Sequence, residues 1–175
     1  MRTRSGPSIH PLRGRLGTGF TLIELLIVVT VLGIIAAVAF TSYGSYVLRA
    51  NRAVAKSAVM RIAGQQESFF TDRRAYALTL NTLAPEYTGA TMYLRRDGNF
   101  QAANTGAAIY SVTLGAYTAA TVANCSVAGA ATTAQYAIIV TPINSQARDT
   151  TCGKLCYGSP GDKGRSGTAT DCWSR

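Results

Sequence analysis

Histidine is almost missing from this 175-residue chain, and acidic residues are scarce: one His, His10, and eight Asp and Glu stand against seventeen Lys and Arg. Charge is absent from Leu25 to Leu48, proline from residues 20 to 72, and cysteine from the first 124 residues. Each absence excludes something. With its one histidine among the first nineteen residues, and with no nucleophile beside a base, no phosphate loop and no cluster of metal ligands, the chain is not expected to be an enzyme or to hold a cofactor or metal. Without proline, and with Gly33, Gly44 and Gly64 isolated, residues 20 to 72 are free to form one continuous helix. The uncharged run, with Phe20 to Ile23 before it, is long enough to cross a bilayer, which takes about 20 mostly apolar residues.

What precedes that run is a short basic stretch, residues 1–19, with Arg2, Arg4, Arg13 and Arg15 and no acid, the composition of a targeting leader and not of folded structure. Without it thirteen basic residues face eight acidic ones, so the formal charge falls from +9 to +5. The positive-inside rule settles little, because Arg49, Arg52, Lys56 and Arg61 flank the other end of the run. The cysteines orient the chain instead. All four, Cys125, Cys152, Cys156 and Cys172, fall in the last third, and an even number in a loop-rich region reads as disulfides formed outside the cytoplasm. If Cys152 and Cys156 share a strand they stand about 13 Å apart at ~3.3 Å per residue, beyond the roughly 7 Å a disulfide tolerates. Each then pairs with Cys125 or Cys172, in either combination. A four-cysteine zinc site is disfavoured by the C-x₃-C spacing, which lacks a second close pair.

Beyond Arg49 the helix turns amphipathic. Val47, Val54, Ala58, Ile62 and Phe69 make an apolar stripe for a sheet to cover, while Arg49, Arg52 and Lys56 fall on another face. From about Arg73 to Ala108 turn residues (Pro85, Asp97-Gly98, Asn104, Gly106) mark an irregular connection with room for a short strand near Met92 to Leu94. Alternating patterns predict strands over Ile109 to Leu114 and Tyr136 to Thr141, with a third candidate over Cys152 to Tyr157. The stretch "AYTAATVANCSVAGAATTA" reads as a loop. The tail from Gly158 has little to bury except Trp173 and is held by Cys172.

One carboxylate interrupts the apolar helix, in "GFTLIELLIVV". An acidic residue at the centre of a spanning helix costs about 2.5–3.5 kcal/mol on insertion scales, so Glu24 calls for a partner. The basic leader ending in Gly19, the Phe20 after it, Glu24 and the apolar helix together resemble the N-terminal signal of the type IV pilin family. The resemblance implies cleavage by a prepilin peptidase between Gly19 and Phe20, N-methylation of the new Phe20 amine, and pairing of the Glu24 carboxylate with the Phe20 ammonium of a neighbouring subunit. The ending "ARDTTCG…DCW" looks like the disulfide-bounded loop of PilE-like minor pilins, which implies Cys152 with Cys172 and leaves Cys125 and Cys156 to each other. Where the family commonly has proline this chain has Thr41, leaving Gly44 as the weak point of the helix.

The expected architecture is therefore a ladle-shaped α+β pilin fold: a leader (1–19), a membrane or filament-core helix (20–48), and a head (49–175) with a small antiparallel sheet on the second half of the helix and a disulfide-bounded C-terminal loop. The resemblance implies a minor subunit of a type IV pilus, held in the inner membrane with its head in the periplasm and then moved to the cell surface. Its partners would be other pilins, the peptidase and the pilus assembly machinery. Three other readings compete. A signal peptidase could cut after Ala37-Val38-Ala39 and release a protein starting at Phe40; a type II secretion pseudopilin shares the leader and helix; and a pilus-borne DNA receptor could use Arg95, Arg96, Arg148, Lys154, Lys163 and Arg165.

Overall fold

The structure, a computed structural model, describes residues 19–127, 129 and 131–174, with the side chains of residues 40–42 left aside. The leader up to Thr18, the Phe40 start and the Thr41 side chain lie outside the described residues. The longest element is α1, Leu22–Arg73, 52 residues. The chain divides into two compact units, residues 1–41 and 42–175.

In the first unit the described part is the front of α1. It is apolar all round and is the one described helix long and apolar enough to cross a membrane. In the second unit the rest of α1 is followed by α2 (Leu80–Leu83), β1 (Thr91–Arg95), β2 (Phe100–Gln101), β3 (Ala108–Gly115), α3 (Ala119–Ala123) and β4 (Ala137–Pro142). A 3₁₀ turn (Asn144–Arg148), β5 (Leu155–Gly158) and β6 (Lys163–Arg165) complete it. The six strands form one sheet in the order β2-β1-β3-β4-β5-β6, with every neighbouring pair antiparallel.

Alternation decides which side of the sheet meets the helix. Met92 pairs with Val112, and Val112 with Val140. Together with Leu94, Tyr110, Ile138 and Leu155 these residues close over Ala55, Ala58, Val59 and Ile62 of α1 in one core. The opposite face carries a smaller cluster in which Val122 of α3 covers Cys125, Ala137 and Cys156.

Several expectations are corrected. In the apolar stripe Ala58 and Ile62 are buried, but Val47, Val54 and Phe69 are only half-buried; the buried line runs Asn51, Ala55, Val59, Ile62, Gln66. Its two polar members enter the core because their hydrogen bonds are made there. Gln66 is bracketed by Ala77, donating from Nε2 to its carbonyl at 3.0 Å and accepting from its amide at 2.9 Å. Arg52, expected on another face than the stripe, reaches inward to Asp149. The third strand starts at Leu155; Cys152 sits before it, where Gly153 takes a φ of +61° and its amide donates to the Asp149 carbonyl. The supposed loop holds α3, whose N-cap Thr118 accepts from the Thr121 amide at 3.1 Å. The tail supplies an edge strand, β6, with Gly164 pressed so closely on the Val122 carbonyl that a side chain there has no room.

Candidate functional site

The chemistry foreseen for the N-terminus falls on Gly19, Phe20, Thr21 and Glu24, which line one hollow. Thr21 is the residue before the helix. Its amide donates to Glu24 Oε2 at 3.4 Å, and the Glu24 amide donates to Thr21 Oγ1 at 3.3 Å. This reciprocal pair is a capping box, T-x-x-E, and it gives Glu24 a partner within its own chain, at the end of the helix where the dipole favours negative charge. The spacing Thr21 to Glu24 is legible in the sequence, but a carboxylate in an apolar run points first to a cation and hides the nearer partner. Phe20 is 81% exposed, and every large apolar side chain from Leu22 to Val38 is 48–83% exposed.

In the head, two disulfides join Cys125 to Cys156 (Cα–Cα 5.6 Å) and Cys152 to Cys172 (5.7 Å). Beside the second lies a buried polar network. Arg52 Nε and Nη2 donate to Asp149 Oδ2 and Oδ1, both at 2.6 Å, a bidentate pair. Asp149 also accepts from Gln146 Nε2 at 3.1 Å and from the Cys152 amide at 3.3 Å. Gln146 Nε2 donates to the Tyr110 hydroxyl at 2.9 Å, and Gln146 Oε1 accepts from Asn51 Nδ2 at 2.8 Å. The hydrogen bond to Asp149 is the largest cause that raises Arg52 above its ordinary value, while burial and then the Asp149 charge push the Tyr110 hydroxyl well above the usual tyrosine range. Burial and the nearby Arg52 lower Lys56. The network is not legible in the sequence, because its central partners, Arg52 and Asp149, lie 97 positions apart.

The six cations named as a possible nucleic-acid surface separate into two groups. Arg95 and Arg96, at the β1–β2 turn, line a hollow with Asp97, Gly106 and Ser145. Arg96 Nη2 donates to Ser145 Oγ at 3.4 Å, Arg148 Nε donates to the Ser145 carbonyl at 3.3 Å, and Arg95 is 3.8 Å from Asp97. The second group lies at the far edge of the sheet. Lys163 Nζ stands 6.0 Å from the Trp173 ring centre, Tyr157 lies 6.4 Å from the same ring, and the Trp173 indole N–H donates to the Gly164 carbonyl at 2.9 Å. Arg165 follows Gly164 on β6, and its Nε is buried with no hydrogen-bond partner, the one such side-chain atom among the described residues. The Lys154 amide, on the neighbouring segment, donates to Ser166 Oγ at 2.8 Å. Among the described residues no three or more His, Cys, Asp or Glu side chains are grouped to hold a metal.

Comparison with known proteins gives this arrangement a family. Residues 41–156 match a family model described as type IV minor pilin ComP, DNA uptake sequence receptor, and residues 18–40 match the prokaryotic N-terminal methylation motif. The type IV major pilin protein PilA of Myxococcus xanthus (strain DK1622) is 39% identical over 70 residues, which cover 39% of this chain and 32% of that protein. The match therefore spans about a third of the curated relative's length. The first family model alone takes in more than half of the chain, and its region holds β1 to β4, the first two residues of β5 and the second half of α1. The chain belongs to the type IV minor pilin ComP family.

Proposed function

We propose that this chain is a structural subunit of a type IV pilus that works by assembly and not by catalysis. Residues 1–19 are its leader, 20–48 its membrane and filament-core helix, and 49–175 its head. A prepilin peptidase cuts between Gly19 and Phe20, and the new Phe20 amine is methylated. Before assembly the helix holds the subunit in the inner membrane with its head in the periplasm; other pilins then replace the lipid around it as the assembly machinery adds it to a surface filament. The observation that carries this reading is the 48–83% exposure of large side chains from Leu22 to Val38. Apolar surface all round a helix has to be covered by lipid or by other helices.

The role of Glu24 follows from its two partners. In the single chain it closes the capping box; in the filament its carboxylate meets a neighbour's Phe20 ammonium and gives register to helices whose apolar contacts alone specify little. Two substitutions separate these roles. Gln at the third helical position still completes a capping box but carries no charge. Glu24→Gln is therefore expected to insert and to be cleaved as the parent is, yet to enter pili poorly; Glu24→Ala loses both functions. Normal incorporation of Glu24→Gln would remove the charge pair. N-terminal mass spectrometry of the mature protein, expected to find methyl-Phe20, tests the processing; a chain starting at Phe40 would sink it.

A second reading is favoured by one observation: the exposed Lys163 on the edge strand stands 6.0 Å from the Trp173 ring centre, with Arg165 two residues on along the same strand. In this reading the pilin also receives DNA, with Lys163 and Arg165 taking backbone phosphates. Binding of a DNA duplex would weaken steeply with salt, and Lys163→Gln with Arg165→Gln would lower the salt slope by about 2, near 0.9 for each phosphate no longer neutralised. Unchanged DNA retention by that double variant would exclude this surface.

A further inference from the structure

The cations Arg96 and Arg148 are left without a role by the core and by the far sheet edge. Both are exposed, both are oriented by Ser145, and they line a hollow with Tyr43, Val47 and Leu48 of α1. None of the residues lining that hollow is acidic. The nearest carboxylates are already engaged: Asp149 is buried against Arg52, and Asp97 faces Arg95. On the helix, Tyr43 and Tyr46 are 68% and 65% exposed, and Arg49 is exposed one turn further on.

Position along the chain says what covers this rim. The apolar run ends at about Ala39, and Tyr43 follows four residues later in the sequence. When the run fills a bilayer, Tyr43 and Tyr46 stand at headgroup depth, where amphipathic aromatic rings are enriched, and Arg49 can extend its guanidinium to the same layer. The hollow brings Arg96 and Arg148 against that stretch of helix. We infer that Tyr43, Tyr46, Arg49, Arg96 and Arg148 form a docking surface for anionic phospholipid headgroups, which holds the head of an unassembled subunit against its membrane. The contact has to break when the subunit leaves the bilayer for a filament. This inference rests on the reading that residues 20–48 span a membrane before assembly. The lipid is favoured over DNA here because the span delivers headgroup phosphates to this rim, whereas the cation that stands over an aromatic ring, Lys163 on Trp173, lies at the other sheet edge.

The test uses the full chain in nanodiscs of phosphatidylcholine alone or mixed with phosphatidylglycerol, read by amide hydrogen exchange at residues 95–98 and 144–148. A cation near an anionic surface contributes about a fivefold shift in the bound population, so exchange of these segments is expected to slow by about that factor or more in the anionic discs. The slowing should vanish in Arg96→Gln/Arg148→Gln and at high salt, and persist in Arg74→Gln, which removes a charge just past the far end of α1. Equal exchange in the two discs, or slowing that survives the double substitution, overturns the inference. So does slowing by duplex DNA in zwitterionic discs with no response to phosphatidylglycerol. A chain not retained by the discs at all refutes the membrane reading and this inference with it; a retained chain without the lipid response refutes the inference alone.

Discussion

Replacing Arg52 with methionine is expected to destabilise the head more than replacing its partner. The two guanidinium nitrogens meet both oxygens of Asp149 at 2.6 Å; the Asp149 side chain is fully buried, while that of Arg52 keeps 13% of its surface exposed. Removing one member of a buried pair costs about 3–5 kcal/mol, because the other charge is left uncompensated. After Arg52→Met the carboxylate keeps only Gln146 Nε2 and the Cys152 amide among its present donors, so the loss should be near the lower bound, about 3 kcal/mol. After Asp149→Asn the guanidinium can turn towards solvent and the amide oxygen can still accept, so a loss of about 1–2 kcal/mol is expected, closer to that of an ordinary charged hydrogen bond. Urea unfolding of a fragment from residue 42 onward, with disulfides intact, gives all three losses once the double variant is added. Its cost should fall short of the sum of the singles by more than about 0.5 kcal/mol, the limit within which independent sites add. An Arg52→Met loss under about 1 kcal/mol, within the range of an exposed ion pair, or simple additivity would refute the reasoning.

The disulfides enclose separations of 20 and 31 residues, so by chain entropy Cys152→Ser/Cys172→Ser and Cys125→Ser/Cys156→Ser should each cost about 3–4 kcal/mol, measured by the same unfolding. The first pair alone should open the segment after Gly158 to limited proteolysis; equal protection in both variants would show that the tail is held by β6 instead. At Gly164 an added Cβ meets the Val122 carbonyl, a backbone atom that moves only with α3, so Gly164→Ala should cost about 3 kcal/mol, the upper part of the overpacking range, and lower the thermal midpoint; a loss under about 0.5 kcal/mol would rule out that contact. Burial, the first cause in each case, raises the Tyr110 and Tyr136 hydroxyls above their ordinary value of 10.0. The unfolded chain then loses protons that the folded chain keeps, so this contribution is complete below pH about 10 and falls as pH rises further, by about 1.4 kcal/mol per unit for each hydroxyl. Unfolding free energy that stays level from pH about 9 to about 11 would contradict it.

How far the sequence discloses this molecule depends on the range of the interactions that make each element. The front of α1 is written in consecutive residues, and β3 and β4 show their alternation because one face of each is buried on the helix and the other is not. Two short elements escape for opposite reasons. The residues Ala119–Ala123 are too small to show a helical stripe, and only the N-cap Thr118 marks the start. Lys163–Arg165 is a strand only because Leu155 and Tyr157 pair with it, a fact its glycine-rich composition conceals. The role of Arg52 is hidden because Asp149 is 97 positions away, and an arginine beside Arg49 and Lys56 looks solvated until that partner is known. At the N-terminus both members of the capping box lie within four residues, so their spacing is legible, but the apolar run around Glu24 points first to a cation and hides Thr21 as the nearer partner.

The two halves of α1 show why those polar groups matter. Along the front the surface is apolar on every side, and such surfaces pack in many registers with little difference in energy. Along the second half the buried line carries Asn51 and Gln66, with Arg52 beside it, and each is satisfied by one partner: Gln146, Ala77 and Asp149. A slide by one helical turn would leave these groups buried and unpaired, at about 1–3 kcal/mol for each polar group and more for the charge. The register of helix against sheet is therefore set by polar residues within an apolar contact. The front half has one charged residue able to do the same for helix against helix, Glu24, and among the described residues its carboxylate meets its own cap. The device that aligns the head on its helix is complete in one subunit; the proposed device that aligns helices in a filament needs a second subunit to supply the ammonium.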